Sequence, residues 1–197
     1  MRFSLAKLLE AGLVVITFGC SRAPEVTIRP ELAGGLRRIA VLDLVDVPGA
    51  DAGHSGRVVA GVLSSAALNV KCWSVVERQE LSRIIEEQDL QNTDLVDPAT
   101  AVRVGRIAGA DGIIIGEVAQ YRIGSIPFLF FFTWDQDTYK VDFAFRLISV
   151  STGEVCVSAR VSRTRLESFE RAISNGVTPV FELIDHCLAI RDGAGLD

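Results

Sequence analysis

Apolar and polar positions change their period several times along this chain, and each change marks an element. Ile39 to Leu44 is a short β-branched run ahead of Pro48 and Gly49, the pattern of a buried strand. From Ser55 onward, Val58, Val59, Val62, Leu63 and Ala66 share one helical face. Trp73 to Val76 reads as the next strand. Leu81, Ile84, Ile85 and Gln88 then return to helical spacing, while Glu77, Arg78, Glu80, Arg83, Glu86 and Glu87 take the wet side and offer i,i+4 pairs. Asp97 followed by Pro98 is a helix start by chemistry, an acidic N-cap and then the one position where proline loses nothing. Ala101, Val104, Gly105 and Ala108 form that helix's narrow packing stripe, Gly109 closes it, and Ile113 to Val118 is the third strand.

After Tyr121 the helical period gives way to alternation. Tyr139, Val141, Phe143, Phe145 and Leu147 face one way and Lys140, Asp142 and Arg146 the other, which predicts a half-buried strand. Thr152 and Gly153 make a turn, and Val155, Val157, Ala159 and Val161 alternate with Cys156, Ser158, Arg160 and Ser162 as its hairpin partner. A last helical region carries Phe169 and Ile173, a break at Asn175 and Gly176, then Thr178 capping Pro179 and the stripe Val180, Ile184, Cys187 and Leu188. The expected fold is α/β in two or three layers over residues 37–191: parallel strands joined by helices, an antiparallel hairpin extending the sheet, and a C-terminal helix.

The amino terminus stands outside that pattern. Arg2 and Lys7 give a basic start, Ala11 to Phe18 an apolar run too short to span a bilayer, and Gly19 before Cys20 the small residue a signal peptidase needs. The segment resembles a bacterial lipoprotein signal over residues 1–19, with Thr17 where leucine is usual, and that resemblance implies acylation of Cys20. Several acyl chains anchor a protein firmly without making it span. Ser21 after the cysteine resembles the pattern sorted to the outer membrane. Pro24, Pro30, Gly34 and Gly35 suit a tether over residues 20–36.

Composition narrows the function classes. At 197 residues with 49% hydrophobic content, the chain holds one ordinary core. A net charge of −5 with scattered Lys and Arg argues against a nucleic-acid partner. Cys72, Cys156 and Cys187 have neither CxxC spacing nor a partnering histidine; they read as small buried hydrophobes, with one disulfide among them left open.

The strand IAVLDL, the helix start VVERQELSRIIEEQDL, the strand GADGIIIGEVAQY and the hairpin LISVSTGEVCVSARV together resemble the CsgG family, outer-membrane lipoproteins of curli export. The likeness runs from Arg38 to about Arg165. Its most specific pieces are Val76-Glu77-Arg78 with Leu81 and Glu87-Gln88, and the turn Ser151 to Val155. The resemblance implies a non-enzymatic envelope protein of the periplasm, anchored to the outer membrane, that oligomerises or docks an envelope protein partner and takes no cofactor. A rival from another class is a monomeric regulatory lipoprotein that docks on a cell-wall synthase, as Lpo-type activators are thought to do.

Two departures qualify the resemblance. CsgG itself resembles a ring in which each subunit gives two hairpins to a barrel, with an aromatic and asparagine constriction after the first strand. Here Pro48 to Arg57 has neither an aromatic nor an asparagine, and the charged stretch after Arg163 leaves little room for a second hairpin of two strands of about 9 to 11 residues. The first hairpin falls at Arg122 to Lys140. Its centre holds Phe128, Leu129, Phe130, Phe131, Phe132 and Trp134, which do not alternate as barrel strands do. This run meets either the membrane interface or a neighbouring subunit, or else forms a core strand or a loop folded over the domain.

Candidate chemistry is sparse. His186 and Cys187 are neighbours on a helix and so point about 100° apart, which does not make a nucleophile pair. The loop Gly49 to Gly56 lacks the GxxxxGK[ST] pattern of a phosphate cradle, although it sits where α/β sheets often bind ligands. Glu86 and Glu87 belong to a polar helix face, and no metal-ligand spacing is present.

Overall fold

The computed structural model describes residues 23–50, 54–90, 97–127, 135–165 and 168–191. In chain order the elements are β1 (Glu25–Ile28), α1 (Pro30–Ala33), β2 (Arg38–Val41), β3 (Val45–Asp46), α2 (Ser55–Ala67), β4 (Ser74–Val75), α3 (Arg78–Glu87), α4 (Pro98–Ile107), β5 (Gly112–Pro127), β6 (Asp135–Ser149), β7 (Val155–Arg165) and α5 (Phe169–Arg191). They form one mixed sheet in the order β1-β7-β6-β5-β2-β4, with β3 pairing further along β5. β2 is parallel to β4 and β5, while β6, β7 and β1 continue antiparallel, which is the expected α/β fold.

Helices cover both faces, giving three layers. On one face Val59 and Leu63 of α2 and Ile173, Val180, Phe181 and Ile184 of α5 pack on Ile114, Phe143, Phe145, Val157 and Val161. Phe181 stacks on Phe145 at 5.9 Å between ring centroids and meets the edge of Trp73 at 6.2 Å. On the other face Leu81 and Ile84 of α3 and Ala101 and Val104 of α4 pack on Ala40, Leu42, Ile113, Ile115 and Ile148. The second face is open over the outer strands, where Arg122, Lys140, Ser158, Arg160, Ser162 and Thr164 are exposed. An antiparallel sheet tolerates one wet face, as the alternation along β6 and β7 requires.

The start of α4 follows its local chemistry. The Asp97 carboxylate accepts from the Thr100 N–H at 2.9 Å and Pro98 takes the first position of α4. Gly109 and Gly153, both at positive φ, end α4 and turn β6 into β7. No helix among the described residues is long and apolar enough to cross a membrane.

Four stretches differ from the sequence expectation. The stretch read as tether supplies β1, an edge strand paired to β7 from Glu25↔Arg160 to Ile28↔Val157, and the short α1. Pro24 and Pro30 flank β1 rather than interrupt it, and an edge strand tolerates them. The third strand does not end at Val118: a bulge between Val118 and Gln120 lets β5 run on to Pro127. The first strand is shorter than Ile39 to Leu44, because the chain leaves β2 after Val41 and rejoins the sheet as β3. The last helix is unbroken from Phe169, although Pro179 lies inside it. Asn175 and Pro179 are both exposed, so the carbonyl that loses its helical donor can turn to water.

Candidate functional site

The long β5–β6 hairpin extends beyond the rest of the sheet. Its register is continuous from Gly112↔Ser149 to Pro127↔Asp135 apart from the bulge, whereas β7 follows β6 only as far as Tyr139↔Arg165. From Gly124↔Thr138 onward the hairpin is two strands alone. Phe128, Leu129, Phe130, Phe131, Phe132 and Trp134, which would join Pro127 to Asp135, lie outside the described residues, as does Cys20.

Aromatic rings fix the hairpin's root to the body. Tyr121 of β5 stacks on Phe169 at the start of α5, at 3.8 Å between centroids, and Tyr139 of β6 meets the same ring edge-on at 4.9 Å. Burial pushes the Tyr121 hydroxyl above its ordinary range, and the nearby carboxylates of Glu170 and Asp46 push in the same direction. The root is also basic. Arg122 faces Lys140 across the strands, and Arg163 and Arg165 alternate onto the opposite face of β7, at Val141 and Tyr139. Arg163 is only 7% exposed, and burial followed by the charge of Arg165 pulls its pKa down.

The chain ahead of β1 leaves toward this same end. β1 is antiparallel to β7, and Ala23 lies in one recess with Glu25, Asp142, Arg160 and Ser162, further toward the root than the Glu25↔Arg160 pair. A second hairpin is absent among the described residues: β7 ends at Arg165 and α5 begins at Phe169.

A second region deserves comparison with the hairpin. At the C-terminal ends of β2 and β4 the crossover α2 goes to one face and α3 with α4 to the other, which opens a crevice. A cavity of about 430 Å³ there is lined by Asp43, Asp46, His54, Arg57, Arg78 and Glu86, together with apolar side chains. Several of the charged groups that line it bond one another. Arg78 donates to the Asp43 carboxylate and, at 3.1 Å, to the Arg57 carbonyl, while Arg57 Nε stands 3.6 Å from Asp43. Asp46 accepts from the Ser55 hydroxyl and from the Gly56 N–H at 3.0 Å, so it serves the start of α2.

The remaining candidates are not brought together into a reacting pair. His54 borders the crevice, whereas His186 is exposed on α5. Asp185 accepts from the Lys71 N–H at 3.0 Å, and Glu87 pairs loosely with Arg83 at 3.9 Å. Cys156 is buried and Cys72 and Cys187 are half-buried, all three as free thiols; burial pushes the Cys156 thiol up. Among the described residues there is no group of three or more side chains placed to hold a metal. Sequence reading missed the basic root, whose one local signal is the Arg163-Thr164-Arg165 alternation.

The family model of the curli production assembly/transport component CsgG matches residues 21–190. The chain belongs to the CsgG family. Solved structures share the fold of this CsgG family member at low identity. The PelC dodecamer from Paraburkholderia phytofirmans is 16% identical with a TM-score of 0.56, covering 83% of this chain and 96% of PelC. The lipoprotein GNA1162 from Neisseria meningitidis is 17% identical with a TM-score of 0.54, covering 76% and 99%. LpoB from E. coli is 16% identical with a TM-score of 0.50, covering 68% and 63%. No curated protein matches the sequence. These likenesses carry the fold; the family carries the theme of assembly and transport.

Proposed function

We propose that this CsgG family member is a lipoprotein acylated at Cys20 and anchored to the outer membrane from the periplasm, where it acts without enzymatic chemistry in secretion or assembly of envelope or surface proteins. It works by self-association, and the segment Phe128 to Trp134 meets the membrane or a neighbouring subunit. The observation that carries this reading is the shared end. β1, followed back to Ala23, and the β5–β6 hairpin run toward the same end of the domain. An anchor on that side turns the hairpin toward the bilayer that holds it.

Self-association is supported by the solved PelC dodecamer, which shares the fold. A second reading is favoured by the lack, among the described residues, of a further long hairpin between β7 and α5, and by the fold shared with LpoB: a monomeric regulatory lipoprotein that docks on a cell-wall synthase.

Fractionation of cells tests the anchoring. The wild-type protein should sediment with outer membranes and carry lipid at Cys20 by mass spectrometry, and Cys20→Ala should be released. A Cys20→Ala protein that stays with the membrane, or a wild-type protein without lipid, contradicts the anchor.

A further inference from the structure

The crevice at the C-terminal ends of β2 and β4 extends beyond the cavity already described. Its volume of about 430 Å³ continues into an open groove of about 470 Å³ along α3, and the two share Arg57, Arg78, Ser82 and Glu86. Volumes in this range hold small ligands, and open α/β sheets bind them where crossovers part to opposite faces. The floor is apolar: Leu42, Leu44 and Leu81 are buried, and Ile85 and Leu90 are half-buried.

The two ends of the groove differ in charge. At one end Arg57 and Arg78 stand in the first turns of α2 and α3, where the helix dipoles add to their positive potential. A guanidinium carries five N–H donors. Arg78 spends Nη2 on Asp43 and on the Arg57 carbonyl, while Arg57 approaches Asp43 with Nε at 3.6 Å. Their other donors have no partner among the described residues, so two cations share one carboxylate. Asp46 is engaged by Ser55 and by the Gly56 N–H. At the other end Glu86 is exposed and makes no ion pair among the described residues.

Arg78 and Glu86 lie eight residues apart on α3, which is about 12 Å along the helix axis. A ligand that matches both ends therefore carries an anion and a cation about that far apart on an apolar frame. An inorganic anion leaves Glu86 unmatched and brings further negative charge beside Asp43 and Asp46. A single amino acid is too short. Three residues of extended peptide span about 10 Å, and the Glu86 side chain covers the remainder.

We infer that the crevice is a binding site for short peptides with free ends. The C-terminal carboxylate meets Arg57 and Arg78, the N-terminal ammonium meets Glu86, and apolar side chains rest on Leu44, Leu81, Ile85 and Leu90. The site is independent of the anchoring and self-association proposed above.

The test is isothermal titration of the full-length protein in a non-ionic detergent with the tripeptide alanyl-leucyl-leucine. One peptide should bind per chain. Its C-terminal amide should bind at least about fivefold more weakly and its N-acetyl form about two- to fivefold more weakly, the range of partly exposed ion pairs. Both comparisons use the wild-type protein, so they do not depend on how a variant folds. Arg57→Gln should weaken the free peptide about fivefold and leave binding of the amide unchanged, and Glu86→Gln should do the same for the free and N-acetyl forms. Arg103→Gln, an exposed charge on α4, should leave all three unchanged.

Absence of saturable binding in the millimolar range overturns the inference. So does binding indifferent to amidation of the peptide, or weakened equally by Arg103→Gln. Displacement of the peptide by inorganic phosphate at equal concentration would make the crevice a general anion site and also overturn it.

Discussion

Arg78, at the first position of α3, donates to the carboxylate of Asp43 in the loop after β2. The same carboxylate stands 3.6 Å from Arg57 of α2, so one acid ties together the starts of two helices that cover opposite faces of the sheet. Asp43→Ala leaves the two guanidiniums facing each other. It should lower unfolding stability by about 1–2 kcal/mol in urea, the range of a charge-assisted hydrogen bond reduced by partial exposure. Arg78→Lys should cost less than Asp43→Ala, because one nitrogen of Arg78 makes both contacts, to Asp43 and to the Arg57 carbonyl, and an ammonium has donors for both. A stability unchanged by Asp43→Ala would mean that the crevice is not held in this way.

The α5–β7 contact depends on a missing side chain. A Cβ on Gly176 would lie 2.2 Å from Val161 Cγ1, so Gly176→Ala should destabilise by about 1–3 kcal/mol despite alanine's better helix propensity. Val161→Ala in the same chain should return part of that stability. Thermal unfolding of the two single variants and the double variant would show the coupling, and simple additivity would contradict it.

The start of α4 should carry a pH dependence. Hydrogen bonds from the Thr100 backbone and side chain hold the Asp97 carboxyl below its ordinary value of 3.8. A depressed folded-state pKa contributes stability that is fully present above the unfolded value and is lost as pH falls through the folded one. The melting temperatures of wild type and Asp97→Ala should therefore differ by a constant amount above about pH 5 and converge as pH falls below about 4. A gap that persists unchanged to pH 2 would contradict the role of the ionised cap.

The layered α/β core was legible because its signals are local. Asp97-Pro98 and Gly109 bound α4 by chemistry alone, and the alternation from Tyr139 to Leu147 identified β6. The rest depends on partners distant in sequence. Glu25 to Ile28 becomes a strand only because β7 offers a free edge far later in the chain, as Val26↔Ala159 shows. β5 passes Val118 because Tyr139 to Asp142 of β6 supply its bonds and Phe169 stacks on Tyr121. Asn175 to Pro179 read as a break because two helix-breaking residues stand close together, yet Gly176 is what lets α5 approach Val161. The basic root was illegible for the same reason: Arg122, Lys140 and Arg165 become neighbours only through the register of three strands.

Self-association at a membrane is the central claim, and the mass of the full-length protein extracted from outer membranes in detergent tests it most directly. Light scattering with imaging of the same sample should show a closed ring, and replacement of Phe130, Phe131 and Phe132 by Ser should dissolve it while leaving the fold of the domain intact by circular dichroism. A monomer whose mass does not change with that replacement would contradict the assembly and leave the regulatory lipoprotein as the better reading.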